Sequence, residues 1–249
     1  MNKEKSHDNG TAIKILRIVF PGVVLLLLGI WFGMGLDKTY DLRGMDLPSS
    51  RLLEVPVPIP YFSLTDHEGQ EFSRMNFRRR WTFMFFGYIY CPDVCPAALY
   101  DLDDVYLNLL DNGDLVEKEF KIDTQVVFVS VDPQRDTVEQ MKEYTTHFNE
   151  NFVGITGNPE EIDKMAHPMG VGYRRVPGEN ADGDYLVDHS ASILLIDPLG
   201  RMRATFPPPH DPEQIADDYR KIRKKFTAEC CITPTEELGS VTFDYRKEK

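Results

Sequence analysis

The sequence predicts an α/β domain carried on a single N-terminal transmembrane helix. Residues 18–36, IVFPGVVLLLLGIWFGMGL, carry no charge. Downstream, short apolar runs of strand length alternate with segments of helical periodicity. The composition, 42% apolar and 27% charged, suits a packed core and excludes a wholly disordered chain. The length of 249 residues fits one domain with appendages or two small domains. A formal charge of −12 argues against a nucleic-acid binder, which needs a basic face for phosphates. Gly and Pro, 17 each, exclude collagen-like and low-complexity chains.

The apolar run of 19 residues makes about 28 Å of helix, enough to cross a bilayer core. Pro21 falls in its first turn and Trp31 toward its far end, where interfaces favour aromatic residues. A buried core helix and a cleavable signal peptide are the competing readings. The run is long for a signal peptide, and GMGLDKTYDL offers a poor cleavage site, so the sequence predicts an uncleaved anchor. Lys3, Lys5, Lys14 and Arg17 precede the span, and Lys38 and Arg43 follow it. That bias places 1–17 in the cytoplasm and 37–249 outside. The outer part has 28 less 4 bases against 40 less 2 acids, a charge of −14. Glu4 and Asp8 do not suit a mitochondrial transit peptide. The expectation is a single-pass protein of a bacterial inner membrane with its soluble domain in the periplasm, where disulfides persist.

The elements follow in order. Residues 37–60 are punctuated by proline and predict an extended spacer. YFSLTDHEGQEFS, 61–73, predicts a hairpin turning at Glu68-Gly69. WTFMFFGYIY, 81–90, reads as a buried strand. From Cys95, Leu99, Leu102, Val105, Tyr106, Leu109 and Leu110 recur at helical spacing; Pro96 suits the first turn and Asn112-Gly113 the end. QVVFVSVD, 125–132, predicts a second buried strand, and Asp136 with Glu139 a capping box before MKEYTTHF. FVGI, 152–155, predicts a strand and 159–170 a short helix. VGYRRV and DYLVD predict a hairpin around GENADGD. SILLID, 192–197, and RMRATF pair about a turn, and 211–226 form an amphipathic helix. The domain thus runs over 61–226 and a weakly patterned tail over 227–249. This order is that of a thioredoxin-like fold.

The chemistry concentrates in GYIYCPDVCP, 87–96. Cys91 and Cys95 sit where a strand meets a helix N-terminus, whose free N–H groups and dipole stabilise thiolate. Two such thiols close a disulfide or grip a soft metal ion. A purely structural disulfide across so short a loop stabilises little, and the spacing is not the C-x-x-C of common oxidoreductases. A metal would need a further ligand, and imidazole is the commonest. His7 lies across the membrane; His67 falls in a hairpin turn and is expected to be solvated; His147 and His167 lie on helices among polar neighbours; His210 follows three prolines. His189 directly precedes an apolar strand that, in a thioredoxin-like sheet, passes beside the helix terminus, so it can approach both thiols.

The chain resembles the Sco (SenC/PrrC) family of copper proteins that serve cytochrome c oxidase assembly. The resemblance rests on FGYIYCPDVCP (86–96), VSVDPQRDT (129–137) and YLVDHSASILLIDPLGR (185–201), in that order after a membrane anchor, and covers roughly 55–226. It implies a thioredoxin-like fold and a copper site formed by Cys91, Cys95 and His189. Asp93 matches the acidic position between the cysteines, and Asp132 and Asp136 match an acidic loop. Two thiolates and an imidazole suit Cu(I), and Cu(II) can add a weak further ligand, whereas a structural zinc prefers four closed ligands.

Asp188 or a backbone carbonyl can orient the His189 ring. Asp93 is read as a bias on the thiols or simply as a charge at a helix N-terminus, Asp132 and Asp136 as loop-shaping groups, and Arg135 as their partner or a docking charge. Cys230 and Cys231 are adjacent and read as incidental to the main site. Met165, His167 and Met169 read as core packing rather than a ligand cluster. The leading expectation is a membrane-tethered copper chaperone. It would take Cu(I) or Cu(II) from a periplasmic donor and deliver it to the dinuclear copper centre of an oxidase subunit. The alternative is a thiol–disulfide oxidoreductase using Cys91 and Cys95 to reduce that acceptor. A sensor is disfavoured by the short cytoplasmic segment, and a peroxidase by the lack of a peroxidatic cysteine context.

Overall fold

In the computed structural model, residues 45–117, 122–177 and 185–230 are described. The segments expected as cytoplasmic (1–17) and membrane-spanning (18–36), together with Cys231, lie outside them. Among the described residues no helix is long and apolar enough to cross a membrane.

The strands are β1 (Arg51–Pro58), β2 (Ser63–Asp66), β3 (Glu71–Ser73) and β4 (Arg80–Gly87), followed by helix α1 (Val94–Asp111). Then come β5 (Val116–Glu117), β6 (Ile122–Ser130), α2 (Val138–Phe148), β7 (Val153–Thr156) and α3 (Pro159–Ala166). A ribbon of β8 (Tyr173–Pro177) and β9 (Tyr185–His189) precedes β10 (Ile193–Asp197), β11 (Arg201–Phe206) and α4 (Pro212–Cys230). The main sheet runs β1-β11-β10-β4-β6-β7-β2-β3, with β5 added beside β6; β8 and β9 form a separate two-stranded sheet. β4, β6 and β7 are parallel, and the flanking pairs are antiparallel. The sheet is therefore mixed, as the alternation of elements predicts.

β4 is central because it is apolar on both faces: every residue from Trp81 to Gly87 is buried. Strand alternation sends odd residues to one side. There Trp81 and Phe83 meet Tyr219 of α4, at ring separations of 5.8 and 5.1 Å, and Phe85 meets His189. The same face leads upward to Gly87 and the cysteine pair. α1 buries Cys95, Ala98, Leu99, Leu102, Val105 and Leu109. Leu110, assigned to that stripe from its spacing, is 52% exposed, because the buried face turns away from it after Leu109. Asn112 caps the helix and Gly113 follows at φ 73°, the left-handed geometry a helix end favours.

Four sequence expectations change. The spacer expected over 37–60 does not run free: residues 51–58 are β1, paired with β11, and the N–H groups of Ser49 and Ser50 donate to Asp218 of α4. The folded domain therefore begins before residue 61. Proline is tolerated there because β1 is an edge strand, with one side of its backbone unpaired. The cap of α2 is Thr137 with Gln140, one residue beyond the expected pair, because Asp136 is drawn into the interior. α4 runs to Cys230 rather than stopping at 226. His67 is not solvated: its Nδ1 accepts from the Gly154 N–H at 3.1 Å, and burial lowers its pKa.

Candidate metal centre

The site is built at the C-terminal end of β4. The chain leaves Gly87, turns through Tyr88–Pro92 and enters α1, with Asp93 at the N-cap position. A Cβ on Gly87 would stand 2.8 Å from Cys95 Sγ and 2.8 Å from the Phe128 ring. Only glycine lets the helix start seat so closely on the strand. Cys95 is fully buried and Cys91 half-buried, and both are free thiols. The Cys95 N–H donates to Cys91 Sγ at 3.4 Å, one of the unsatisfied donors of the first helical turn. Asp93 makes no side-chain capping bond; it lines the opening.

His189, the last residue of β9, reaches across to the pair. Its Nε2 lies 3.2 Å from Cys95 Sγ. Its Nδ1 donates to the Ser190 carbonyl at 3.2 Å, which fixes the tautomer and turns the Nε2 lone pair toward sulfur. Phe85 and Tyr88 meet the imidazole edge to face, at 5.8 and 6.0 Å. The backbone carbonyl, not Asp188, thus orients the ring; Asp188 points outward and pairs with Arg174 at 3.1 Å. The Cys91 and Cys95 sulfurs and a His189 ring nitrogen, the candidate donor atoms, all lie within 4.8 Å of one another. Above them opens a cavity of about 230 Å³, lined among others by Tyr88, Cys91, Pro92, Val94, Leu186 and His189.

The electrostatics are asymmetric. A hydrogen bond from the Cys95 thiol, helped by the His189 side chain and then by the N–H groups of Asp93 and Cys95, outweighs burial and draws the Cys91 thiol down to about 3. The same bond, with burial, drives Cys95 upward. The pair holds one proton, with the charge on the more exposed sulfur. Two cysteine sulfurs and an imidazole in so small a space form a soft donor set suited to copper, and with three protein donors they leave the coordination open. The fit to copper therefore rests on donor chemistry and proximity.

The acidic residues behave differently from the donors. Asp132 is buried and takes bonds from Arg135 Nε at 2.5 Å, Tyr185 Oη at 2.8 Å and Arg175 at 3.4 Å. It ties the β8–β9 ribbon, and so His189, to the loop after β6. Asp136 is buried too: its Oδ2 accepts from Ser130 Oγ and the Ile89 N–H, while its Oδ1 has no hydrogen-bond partner among the described residues. Burial pushes its carboxyl up to about 6. Met165 and Met169 are buried core and His167 faces solvent beside Tyr173, so those three form no ligand cluster. His210 lies in the loop before α4, as its three preceding prolines suggest, with its side chain buried 3.7 Å from Asp101. Sequence reasoning did not single out Gly87, Tyr88, Phe85 or Ser190. Gly87 carried a readable signal, a glycine closing an apolar strand just before the cysteines; the others depend on what β9 brings near.

The SCO1/SenC family model matches residues 56–224. The chain belongs to this family. The bovine mitochondrial SCO2 homolog is 36% identical over 223 residues, covering 89% of this chain and 80% of that one. The mitochondrial SCO1 homolog 1 of Arabidopsis thaliana is 35% identical over 167 residues, 66% of this chain. The match covers 47% of that relative, about half its length. Among solved Sco structures, copper-bound ScoI from A. thaliana has a TM-score of 0.61 at 34% identity, covering 68% of this chain and 99% of that one. Copper-bound ScoI from Bradyrhizobium japonicum has a TM-score of 0.57 at 35% identity, covering 66% and 98%. BsSco, at 18% identity and a TM-score of 0.52, covering 68% and 96%, shares the fold; it is described as a member of the Sco family of cytochrome c oxidase assembly proteins.

Proposed function

We propose that this protein is a membrane-anchored copper chaperone that delivers copper to the dinuclear copper centre of a cytochrome c oxidase subunit. The observation that carries the reading is the convergence of Cys91, Cys95 and His189 within 4.8 Å at the floor of an open cavity. Family membership and the copper-bound ScoI relatives support copper as cargo. Cys91 and His189 line the opening while Cys95 lies beneath, so cargo is reached from one side. Copper taken from a periplasmic donor would leave by ligand exchange, an acceptor thiolate or imidazole entering the cavity before the protein's own donors let go. The apolar run 18–36 supports a single-pass anchor in a bacterial inner membrane, with the domain in the periplasm.

Thiol–disulfide exchange is the second reading, and the asymmetry of the pair favours keeping it. The Cys91 thiolate would attack one sulfur of the acceptor's disulfide and expel the other as thiolate. Cys95, giving up its proton, would then attack Cys91, forming the Cys91–Cys95 disulfide and releasing the acceptor as a dithiol. Two electrons pass to the acceptor. That reaction needs no imidazole, and the His189–Cys95 contact therefore favours metal.

The deciding experiment uses full-length protein carrying Cys230→Ser and Cys231→Ser, prepared without oxygen. Copper content is measured before and after oxidation of the remaining pair. One copper per chain when reduced and none when oxidised is the expected result, since a disulfide removes both thiolates. Full retention after oxidation would place the metal elsewhere, and no uptake when reduced would leave exchange as the function.

A further inference from the structure

The pole of the domain opposite the thiols concentrates positive charge in a strongly acidic protein. β4 runs from Arg80 to Gly87, so Arg80 marks the end remote from the cysteines. Arg74, Arg78, Arg79 and Arg80 all fall there, the last three exposed. The Arg79 N–H donates to the Pro198 carbonyl at 2.9 Å, and the Ile59 N–H to the Gly200 carbonyl at 3.0 Å. The Arg74 guanidinium lies 3.7 Å above the Tyr61 ring. These contacts gather three apolar side chains around the arginines: Tyr61, Met75 and Leu199, which are 76%, 54% and 42% exposed. Arg79 adopts φ 60°, a conformation that glycine adopts without strain. Exposed Asp123 faces Arg80 across the β4–β6 pair, Glu117 pairs with Ile122 beside it, and Asp197 is buried between Arg201 and Arg203, so among the described residues cationic groups prevail at this pole.

The chain also leaves the described region in this direction. Ser50 is bound to Asp218, and four residues earlier the Asp46 carbonyl accepts from Lys221. That path follows α4 toward Phe226, which packs on Trp81 next to Arg80 at 5.1 Å. Residues 37–44 alone separate this exit from the apolar run, a reach of at most about 28 Å.

We infer that this pole rests on an anionic phospholipid surface. Arg74, Arg78 and Arg79 meet headgroup phosphates, Arg80 stays hydrogen-bonded to Gln125 at 2.9 Å, and Tyr61, Met75 and Leu199 enter the interfacial layer. The inference rests on the reading of 18–36 as an anchor. The rest of the domain is acidic and is repelled by such a surface, so this face alone is attracted and the orientation is fixed. The cavity over Cys91 and His189 is then held away from the bilayer, facing the aqueous side where a partner's soluble domain stands. The tether makes docking intramolecular, so weak surface contacts suffice.

The test places full-length protein in nanodiscs of phosphatidylcholine alone or mixed with phosphatidylglycerol, and follows radical oxidation of Met75 with amide exchange over 74–80 and 198–200. In anionic discs Met75 oxidation falls by more than half and exchange slows over both segments, while 171–176 is unchanged; high salt reverses the effect. Each arginine at an anionic surface strengthens binding about fivefold, so Arg78→Gln with Arg79→Gln weakens docking roughly 25-fold and restores exposure. Arg174→Gln with Lys142→Gln, an equal charge change at other sites, leaves protection intact. Equal exposure in both discs overturns the inference, and protection that appears only with an added acidic protein assigns the face to that partner instead. Protein that enters neither disc overturns the anchor reading and this inference with it, an outcome distinct from entry without protection.

Discussion

Replacing Gly87 by alanine tests whether the strand-to-helix contact builds the site. The added methyl would lie 2.8 Å from Cys95 Sγ and from one Phe128 ring carbon, and 3.2 Å from another. Real side-chain carbons do not approach so closely, and neither neighbour can give way. Phe128 lies in the buried strand beside β4, and Cys95 is fixed in the first turn of α1. Overpacking of this kind costs about 1–3 kcal/mol. For a domain of this size, about 2 kcal/mol lowers Tm by roughly 4–8 °C. Because the clash falls on a proposed copper ligand, copper affinity should fall together with stability. Gly113→Ala is the control: it strains a left-handed residue but meets nothing within 4 Å, so it costs stability without touching copper. Thermal unfolding followed by near-UV circular dichroism and copper competition with a chelator give the two readings. A Gly87→Ala protein with unchanged Tm and unchanged copper affinity would refute the account of how the helix start is seated.

Three further outcomes follow from the same geometry. His189→Ala should weaken Cu(II) binding more than Cu(I), by at least about 10–100-fold, the range lost when a ligand's supporting partner alone is removed; chelator competition in each oxidation state checks it. Asp136 should make the domain less stable as pH rises. Its native carboxyl titrates near 6 and its unfolded one near 3.8, so the native state holds the extra proton between them. That contribution is fully present below about pH 4 and lost by about pH 6, a fall of order 3 kcal/mol, which Asp136→Asn should flatten in denaturant titrations across that range. Asp132→Asn should loosen the β8–β9 ribbon, because it weakens charge-assisted bonds from Arg135 and Arg175; faster amide exchange at 185–189 with retained β4 protection would show it.

The sequence by itself determined the order of elements, because each carries its own period. The short, mostly apolar run after Arg80 reads as a strand covered on both faces, and the recurrence from Cys95 to Leu109 reads as a helix with one buried side. It also determined the thiol pair, since both cysteines belong to one short stretch at a strand–helix junction. His189 was legible from its place before an apolar strand. Tertiary structure decided what no local pattern encodes. β1 is a strand only because β11 offers it an edge, so its prolines read as a spacer until that partner is known. His67 lies in a turn that reads as solvated, yet the Gly154 N–H, 87 residues away, closes over its ring nitrogen. Asp136 carries the signature of a helix cap but is pulled inward by Ser130 and the Ile89 N–H, leaving the cap to Thr137. Glycine at 87 is required by a sulfur atom eight residues later and a ring from another strand. In each case a deciding contact comes from another element, and its energy exists only once the sheet has brought the two segments together.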